Sequence, residues 1–390
     1  MEDQGLYEGW PHSAAIVGVG TMGLGVAECF AAAGIDVRLT DATQELTREA
    51  REELVERTRG HAEAGLLAAE AAERAKAVET ADNTEGAVGS AQLVFEAVPE
   101  DLDLKHEILS ACSEAAPTEA VIVSNTSSLP MDELAGSVEH PERFCGMHWF
   151  NPPEWTPGVE VIPASTTDSE VVERVVEFLR AIGKRPAIVG SGPGFVANRI
   201  QMALFLEALR CVEEGLASPQ EVDEVVRSCF GFRLPFFGPF QIADMAGLDV
   251  YISVLKTLKE GLGERFEVPS WLHELVEQGC TGAKSGAGFL TYSDEERDRL
   301  LLERDRRYAA LKTSCSNGCR PWRRAETAGR SDRGKPASRW SGRYRWGHCG
   351  EDDRCGAAGR RSRRERGARR ADARSRPLAR RTRRGAPRAG

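Results

Sequence analysis

Ala14-Ala15-Ile16-Val17-Gly18-Val19-Gly20-Thr21-Met22-Gly23 is the stretch from which the architecture of this 390-residue chain follows. Four apolar residues in a row read as a short strand with both faces buried, and they run straight into glycine. Gly18-Val19-Gly20-Thr21-Met22-Gly23 then opens an Ala-rich helical run from Leu24 to Ala33, with Gly34 as its stop. Val37-Arg38-Leu39-Thr40 reads as a second strand, and Asp41 follows it. Strand, glycine loop, helix, strand and acid in this order are the opening of a doubly wound α/β sheet.

Each part of the loop has a physical reason. Gly18 permits a tight turn, Gly20 lets the backbone approach a pyrophosphate, and Gly23 lets helix and strand pack closely. Thr21 and Met22 complete the loop, whose amides at the helix N-terminus attract the phosphates. Asp41 stands 18 residues past Gly23, where a carboxylate accepts from a ribose 2'-hydroxyl and repels a 2'-phosphate. The expected cofactor is therefore NAD and not NADP.

The α/β rhythm continues. Residues 44–60 are helical in pattern, with Glu and Arg interleaved as on a solvated face. Leu93 to Val98 and Val121 to Ser124 read as buried strands, ending in Pro99-Glu100-Asp101 and Asn125-Thr126-Ser127-Ser128. Ligands of such sheets lie outside the carboxyl ends of strands. Glu100, Lys105, Asn125 and Ser127 are thus candidates for touching cofactor or substrate. In the plainer alternative, Ser127 and Ser128 cap a helix and Lys105 is a surface charge.

Further on, Gly146-Met147-His148-Trp149-Phe150-Asn151-Pro152-Pro153 is followed by Gly158-Val159-Glu160-Val161-Ile162. Two short apolar runs joined by a proline-rich turn can lie side by side and bring His148 and Glu160 into hydrogen-bond reach. A carboxylate on one imidazole nitrogen sets the tautomer and leaves the other free to take a proton. Taken alone, the pair reads more readily as a structural histidine and the polar face of a strand than as a catalytic pair.

Composition divides the chain. Residues 1–313 hold 27 Lys and Arg against 53 Asp and Glu, whereas residues 314–390 hold 24 against 7. The acidic body argues against nucleic acid or an anionic membrane as its main partner. Its cysteines are scattered, as in a reduced cytoplasmic protein. Neither a signal-peptide pattern nor a membrane-spanning apolar run is present, and no ligand spacing for a metal occurs in the body.

Six blocks now stand in order: Gly18 to Gly23, Ser124 to Ser128, His148 to Pro153, Val159 to Val161, Pro193-Gly194-Phe195-Val196-Ala197-Asn198-Arg199, and Lys284-Ser285-Gly286-Ala287-Gly288-Phe289. Together they resemble the L-3-hydroxyacyl-CoA dehydrogenase family over roughly residues 13–312. The resemblance implies oxidation of a 3-hydroxyacyl-CoA in fatty acid metabolism, with a catalytic set of His148, Glu160, Ser127 and Asn198. It implies nicotinamide-side contacts at Glu100, Lys105, Ser127 and Asn151. It also implies a helical second domain that closes over the cleft and forms a homodimer.

Two stretches depart from the acyl-CoA pattern. Glu154-Trp155-Thr156-Pro157 stands where acyl-CoA members carry a lysine, and it looks more like relatives that oxidise gulonate, carnitine or pyridine-ring alcohols. The helix after Asp41, where acyl-CoA members hold nucleotide phosphates, is net acidic here, with Arg48, Arg51, Arg57 and Arg59 as its cations. A small-molecule substrate follows either way, with or without CoA.

The expected organisation is an NAD-binding Rossmann domain over 1–190, an all-α domain over 191–313 and a basic tail over 314–390. Gly190-Ser191-Gly192-Pro193-Gly194 breaks the chain between the first two, and the pattern beyond is helical. Ser218-Pro219-Gln220-Glu221 reads as a capping box, and a last helix is expected from Glu296 to about Lys312. The aromatic segment from Phe232 to Phe240 fits either packing between helices or a dimer or substrate wall. The tail has Leu378 as its lone leucine and no Val, Ile, Phe or Met, so it is expected to be disordered. A nucleic-acid-binding arm is the tempting reading; the abrupt shift to residues of G- and C-rich codons favours translation out of frame.

Overall fold

The computed structural model describes residues 11–318. Eight strands form one sheet in the order β3-β2-β1-β4-β5-β6-β7-β8. They are β1 (Ser13–Val17), β2 (Asp36–Thr40), β3 (Glu79–Thr80), β4 (Leu93–Glu96), β5 (Val121–Ser124), β6 (Phe144–Trp149), β7 (Gly158–Pro163) and β8 (Arg185–Ile188). Every neighbouring pair is parallel except β6 with β7, which is antiparallel. The helices between them are α1 (Thr21–Ala32), α2 (Gln44–Glu63), α3 (Ala69–Lys76), α4 (Thr84–Val88), α5 (Leu102–Ala115), α6 (Met131–Ala135) and α7 (Ser169–Ala181).

The apolar strands are buried because helices cover both sheet faces. On one face Phe30 of α1 is fully buried, in edge-on contact with Phe95, Trp149 and Phe178 at centroid distances of 6.1, 6.0 and 5.4 Å. On the other, Leu109, Cys112, Leu134 and Phe144 close a second core. The charged helix after Asp41 begins at Gln44, capped by Thr43, whose side chain accepts from the Leu46 amide. It buries only Thr47, Ala50, Leu54 and Thr58, one narrow stripe at helical spacing.

Beyond β8 the chain is helical: α8 (Ala197–Glu213), α9 (Pro219–Ser228), α10 (Pro239–Ala246), α11 (Leu248–Leu262), α12 (Ser270–Glu277) and α13 (Asp294–Gly318). The capping box at Ser218 and Glu221 is present. Ala243, Leu248, Ile252, Val268 and Leu272 form a small core here, whereas α8 and α9 bury nothing. Phe232, Phe236 and Phe237 stack around Tyr308 of α13, so packing between helices accounts for most of the aromatic segment.

The last helix differs from expectation. It runs to Gly318, so residues 314–318, assigned to the disordered tail, continue a helix. The reason is local: Leu301, Leu302 and Ala309 to Leu311 are good helix formers, and no Pro or Gly interrupts the run before Gly318. The rest of the expected tail lies outside the described residues. No helix among the described residues is long and apolar enough to cross a membrane.

Candidate active site

The glycine loop fits a dinucleotide on its own geometry. Gly18 has φ +96°, and a Cβ there would sit 2.6 Å from the backbone of Ala97. A Cβ on Gly23 would lie 1.9 Å from the Gly18 carbonyl oxygen, so the helix seats on its own loop only as glycine. Around a Cβ on Gly20, by contrast, nothing lies within 4 Å. That open space adjoins the start of α1, where no side chain caps the helix, leaving a cradle suited to a pyrophosphate. Asp41 accepts from the Val19 amide through one oxygen and the Ala42 amide through the other, both at 2.7 Å. It holds the loop in shape and keeps free lone pairs for a ribose hydroxyl.

The proline turn does bring its two arms together. His148 and Glu160 are register partners in the antiparallel β6–β7 pair, and His148 Nδ1 lies 2.8 Å from Glu160 Oε2. Both side chains are almost fully buried, at 6% and 7% exposure. The His148 ring sits between Phe150, at 4.4 Å, and Phe195, at 5.7 Å. With Nδ1 engaged by the carboxylate, Nε2 is the nitrogen left for a ligand proton.

The other oxygen of Glu160 shows a feature that the sequence reading missed. Oε1 accepts from the amides of Val196, at 3.1 Å, and Ala197, at 2.8 Å, the N-terminus of α8. α8 has no side-chain cap of its own, because Val196 occupies the cap position. Glu160 therefore caps a helix of the second domain while it orients His148. The preceding residue, Phe195, holds φ +49°, a conformation rare outside glycine, and this aims both the amides and its own ring at the pair. A helix starting at Ala197 without Ser, Thr, Asp or Asn before it was the available signal: its amides need a partner from elsewhere.

Beside this pair the β4 and β5 ends meet. Glu100 Oε1 accepts from Thr126 Oγ1, from the amides of Ser127 and Ser128, and from both serine hydroxyls. Burial alone would raise the Glu100 carboxyl. The bonds from Thr126 and Ser127, with the charge of Lys105, outweigh it and hold the group below the usual carboxylate range. Because Ser127 donates its hydroxyl to Glu100, at 3.1 Å, it faces the cleft first as an acceptor. Asn198 Nδ2 donates to the Ser127 carbonyl at 3.3 Å, which places it against the same turn.

Two of the expected contacts are engaged within the protein and a third lies exposed. Lys105 is neither a surface charge nor open to a ligand: its side chain is 1% exposed. It donates to Glu96 Oε1 at 2.6 Å and to the Val98 carbonyl at 3.1 Å, with Glu100 Oε2 at 3.8 Å. α5 lies against β4, and a buried ammonium there must find a carboxylate. Asn125 uses Oδ1 to accept from the Trp149 amide at 2.9 Å, tying β5 to the strand that carries His148. Asn151 lies exposed in the turn after β6.

Comparison with known proteins places the chain in a family. The pattern of the 3-hydroxyacyl-CoA dehydrogenase NAD binding domain matches residues 13–191, and that of the C-terminal domain matches residues 194–292. A 5-formyl-3-hydroxy-2-methylpyridine 4-carboxylate 5-dehydrogenase of Mesorhizobium japonicum is 35% identical over 302 residues, 76% of this chain and 96% of that relative. A probable 3-hydroxybutyryl-CoA dehydrogenase of Deinococcus radiodurans is 34% identical over 287 residues, 71% of this chain and 99% of that relative. The crystal structure of a 3-hydroxyacyl-CoA dehydrogenase from Archaeoglobus fulgidus is similar with a TM-score of 0.64 and 30% identity, covering 78% of this chain and 99% of that one. Matched in both domains and along nearly the whole length of these relatives, the chain belongs to the 3-hydroxyacyl-CoA dehydrogenase family and is an NAD-dependent oxidoreductase acting on a CH–OH group.

Proposed function

We propose that the chain oxidises a 3-hydroxyacyl-CoA to the 3-oxoacyl-CoA, with His148 as general base and Glu160 as its orienting partner. The observation that carries this reading is the buried Nδ1–Oε2 bond, which leaves Nε2 to receive the hydroxyl proton. Bound NAD supplies the hydride acceptor. Glu160 stabilises the imidazolium that forms, and the α8 amides keep its carboxylate in place. Asn198 orients the substrate oxygen as charge develops on it, and Ser127, whose hydroxyl proton goes to Glu100, lines the same turn. Phe150 and Phe195 shield the ring from water. The loop residues Gly18 to Gly23 and Asp41 hold the cofactor.

A second reading, oxidation of an alcohol without CoA, is favoured by one observation. Of the four α2 arginines, three are engaged within the protein. Arg51 donates to the carbonyls of Lys76 and Val78, Arg57 pairs with buried Glu28, and Arg59 pairs with Glu56 and Glu63. Few cations are left on that helix for a polyphosphate. The pyridine carboxylate dehydrogenase among the relatives shows that such substrates occur in similar chains.

NADH formation measured with 3-hydroxybutyryl-CoA beside free 3-hydroxybutyrate, gulonate, carnitine and a pyridine carbinol separates the two. On the preferred substrate His148→Ala is expected to lower kcat by roughly 100- to 10,000-fold. Turnover within a few-fold of the parent would overturn the assignment of the base. We also infer that two copies associate through α8, where Ile200, Met202, Phe205 and Leu209 are each about half exposed.

A further inference from the structure

α1 carries a glycine that the dinucleotide motif does not account for. Gly25 lies inside the helix, where glycine is the poorest former after proline. It is buried, and a Cβ there would meet the ring of Pro153 at 2.2 and 3.0 Å, with Glu154 Oε2 at 2.9 Å. Pro153 has no room to withdraw. It is buried in the turn between β6 and β7, and its carbonyl accepts from Lys184 Nζ at 2.6 Å. Cys29 Sγ, one helical turn beyond Gly25, lies 3.7 Å from the same oxygen. Burial pushes the Cys29 thiol up to about 11, so it keeps the proton it directs at that carbonyl. Further out, Trp155 rests on His61, which with Arg57 holds the buried carboxylate of Glu28 on α1.

This contact joins two parts of the site. Thr21 and Met22, four and three residues before Gly25, lie on the same face of α1 and belong to the loop that cradles the pyrophosphate. The cradle is therefore about 6 Å along the helix from the seat of the turn. The turn itself runs from the strand of His148 to the strand of Glu160. β1, which feeds α1, and β6 are three places apart in the sheet, roughly 14 Å. The sheet thus fixes the roots of α1 and β6, and the Gly25–Pro153 contact fixes their free ends against each other. Hydride transfer needs reacting atoms about 3–3.5 Å apart, and a misplacement of about 1 Å costs on the order of 100-fold.

We propose that Gly25 is a positioning residue for the dehydrogenase reaction: its missing side chain seats the β6–β7 turn on α1 and sets the distance from the bound cofactor to the His148–Glu160 pair. This rests on His148 as the base and goes beyond it, because it names what holds the base in register with the cofactor helix. Gly25 acts through Pro153 and not on the reacting atoms.

The test compares Gly25→Ala, Pro153→Ala and the double variant, by the single-turnover rate of NADH formation on the preferred substrate and by calorimetric NAD+ affinity. Gly25→Ala is expected to slow turnover by roughly 10- to 100-fold while the NAD+ dissociation constant stays within about threefold, a split that lost folding stability does not produce. Pro153→Ala removes the ring atoms that the new methyl meets, so the double variant is expected to recover to within about threefold of Pro153→Ala alone. A Gly25→Ala rate within about twofold of the parent, a loss that Pro153→Ala does not relieve, or an equal loss of NAD+ affinity would overturn the proposal. Where Gly25→Ala does not fold, Pro153→Ala decides: opening the seat is expected to slow the same step about threefold or more, and an unchanged rate overturns the proposal. Substrate deuterated at the carbinol carbon reports hydride transfer alone. A wrong choice of base, shown by normal turnover in His148→Ala, is therefore recognised separately.

Discussion

Glu100 collects five donors on one carboxylate oxygen, and with Lys105 this concentration of positive dipole and charge overcomes the effect of burial. A carboxyl whose folded-state value lies below its unfolded value stabilises the fold above the unfolded value, near 4.5. That contribution is lost as pH falls through the folded value. The difference in unfolding free energy between the parent and Glu100→Gln is therefore expected above about pH 5 and should shrink steadily below about pH 4.5. Chemical denaturation of both proteins over that range checks it; a difference that stayed constant would remove the charge from the account. Little of this was legible beforehand. The motif Asn125-Thr126-Ser127-Ser128 placed the serines at a strand end, but which carboxylate they would face depends on how the β4 and β5 loops fold against each other.

The turn between β6 and β7 is where local reading worked best. Two apolar runs and a proline-rich connection sufficed to pair His148 with Glu160, because side chains in an antiparallel pair meet in fixed register. What grips the turn was not visible. Lys184, 8% exposed, donates to the carbonyls of Pro153, at 2.6 Å, and Thr156, at 3.1 Å, and lies 4.8 Å from the centre of the Trp149 ring. Trp155 rests on His61 of α2, which is held by Glu28 of α1. Lys184→Met leaves two carbonyls without their donor and is expected to lower stability by about 1–3 kcal/mol. Urea unfolding measures this, and an unchanged midpoint would mean that Trp155 and His61 hold the turn without Lys184.

The helical domain exposes more apolar surface than a monomer needs: α8 and α9 bury no residue, and Phe205 and Leu206 are 55% and 51% exposed. Phe205→Glu is expected to convert a dimer into monomers at micromolar concentration, read by sedimentation velocity, whereas a parent protein that sediments as a monomer would refute the α8 interface. A dimer through the helical domain is an expectation of the family resemblance alone, since an apolar stripe at helical spacing in a sequence reads equally as core. The same limit explains the pattern of success throughout the molecule. The dinucleotide loop, the order of strands and helices and the His148–Glu160 pairing were readable because glycine sterics, helix caps and strand register act between near neighbours in the chain. The burial of Lys105 between two carboxylates, the capping of α8 by Glu160 and the grip of Lys184 on the β6–β7 turn were decided only when distant elements packed. Each is a charge or a backbone dipole taken out of water, and its partner is whichever group the packing brings within reach.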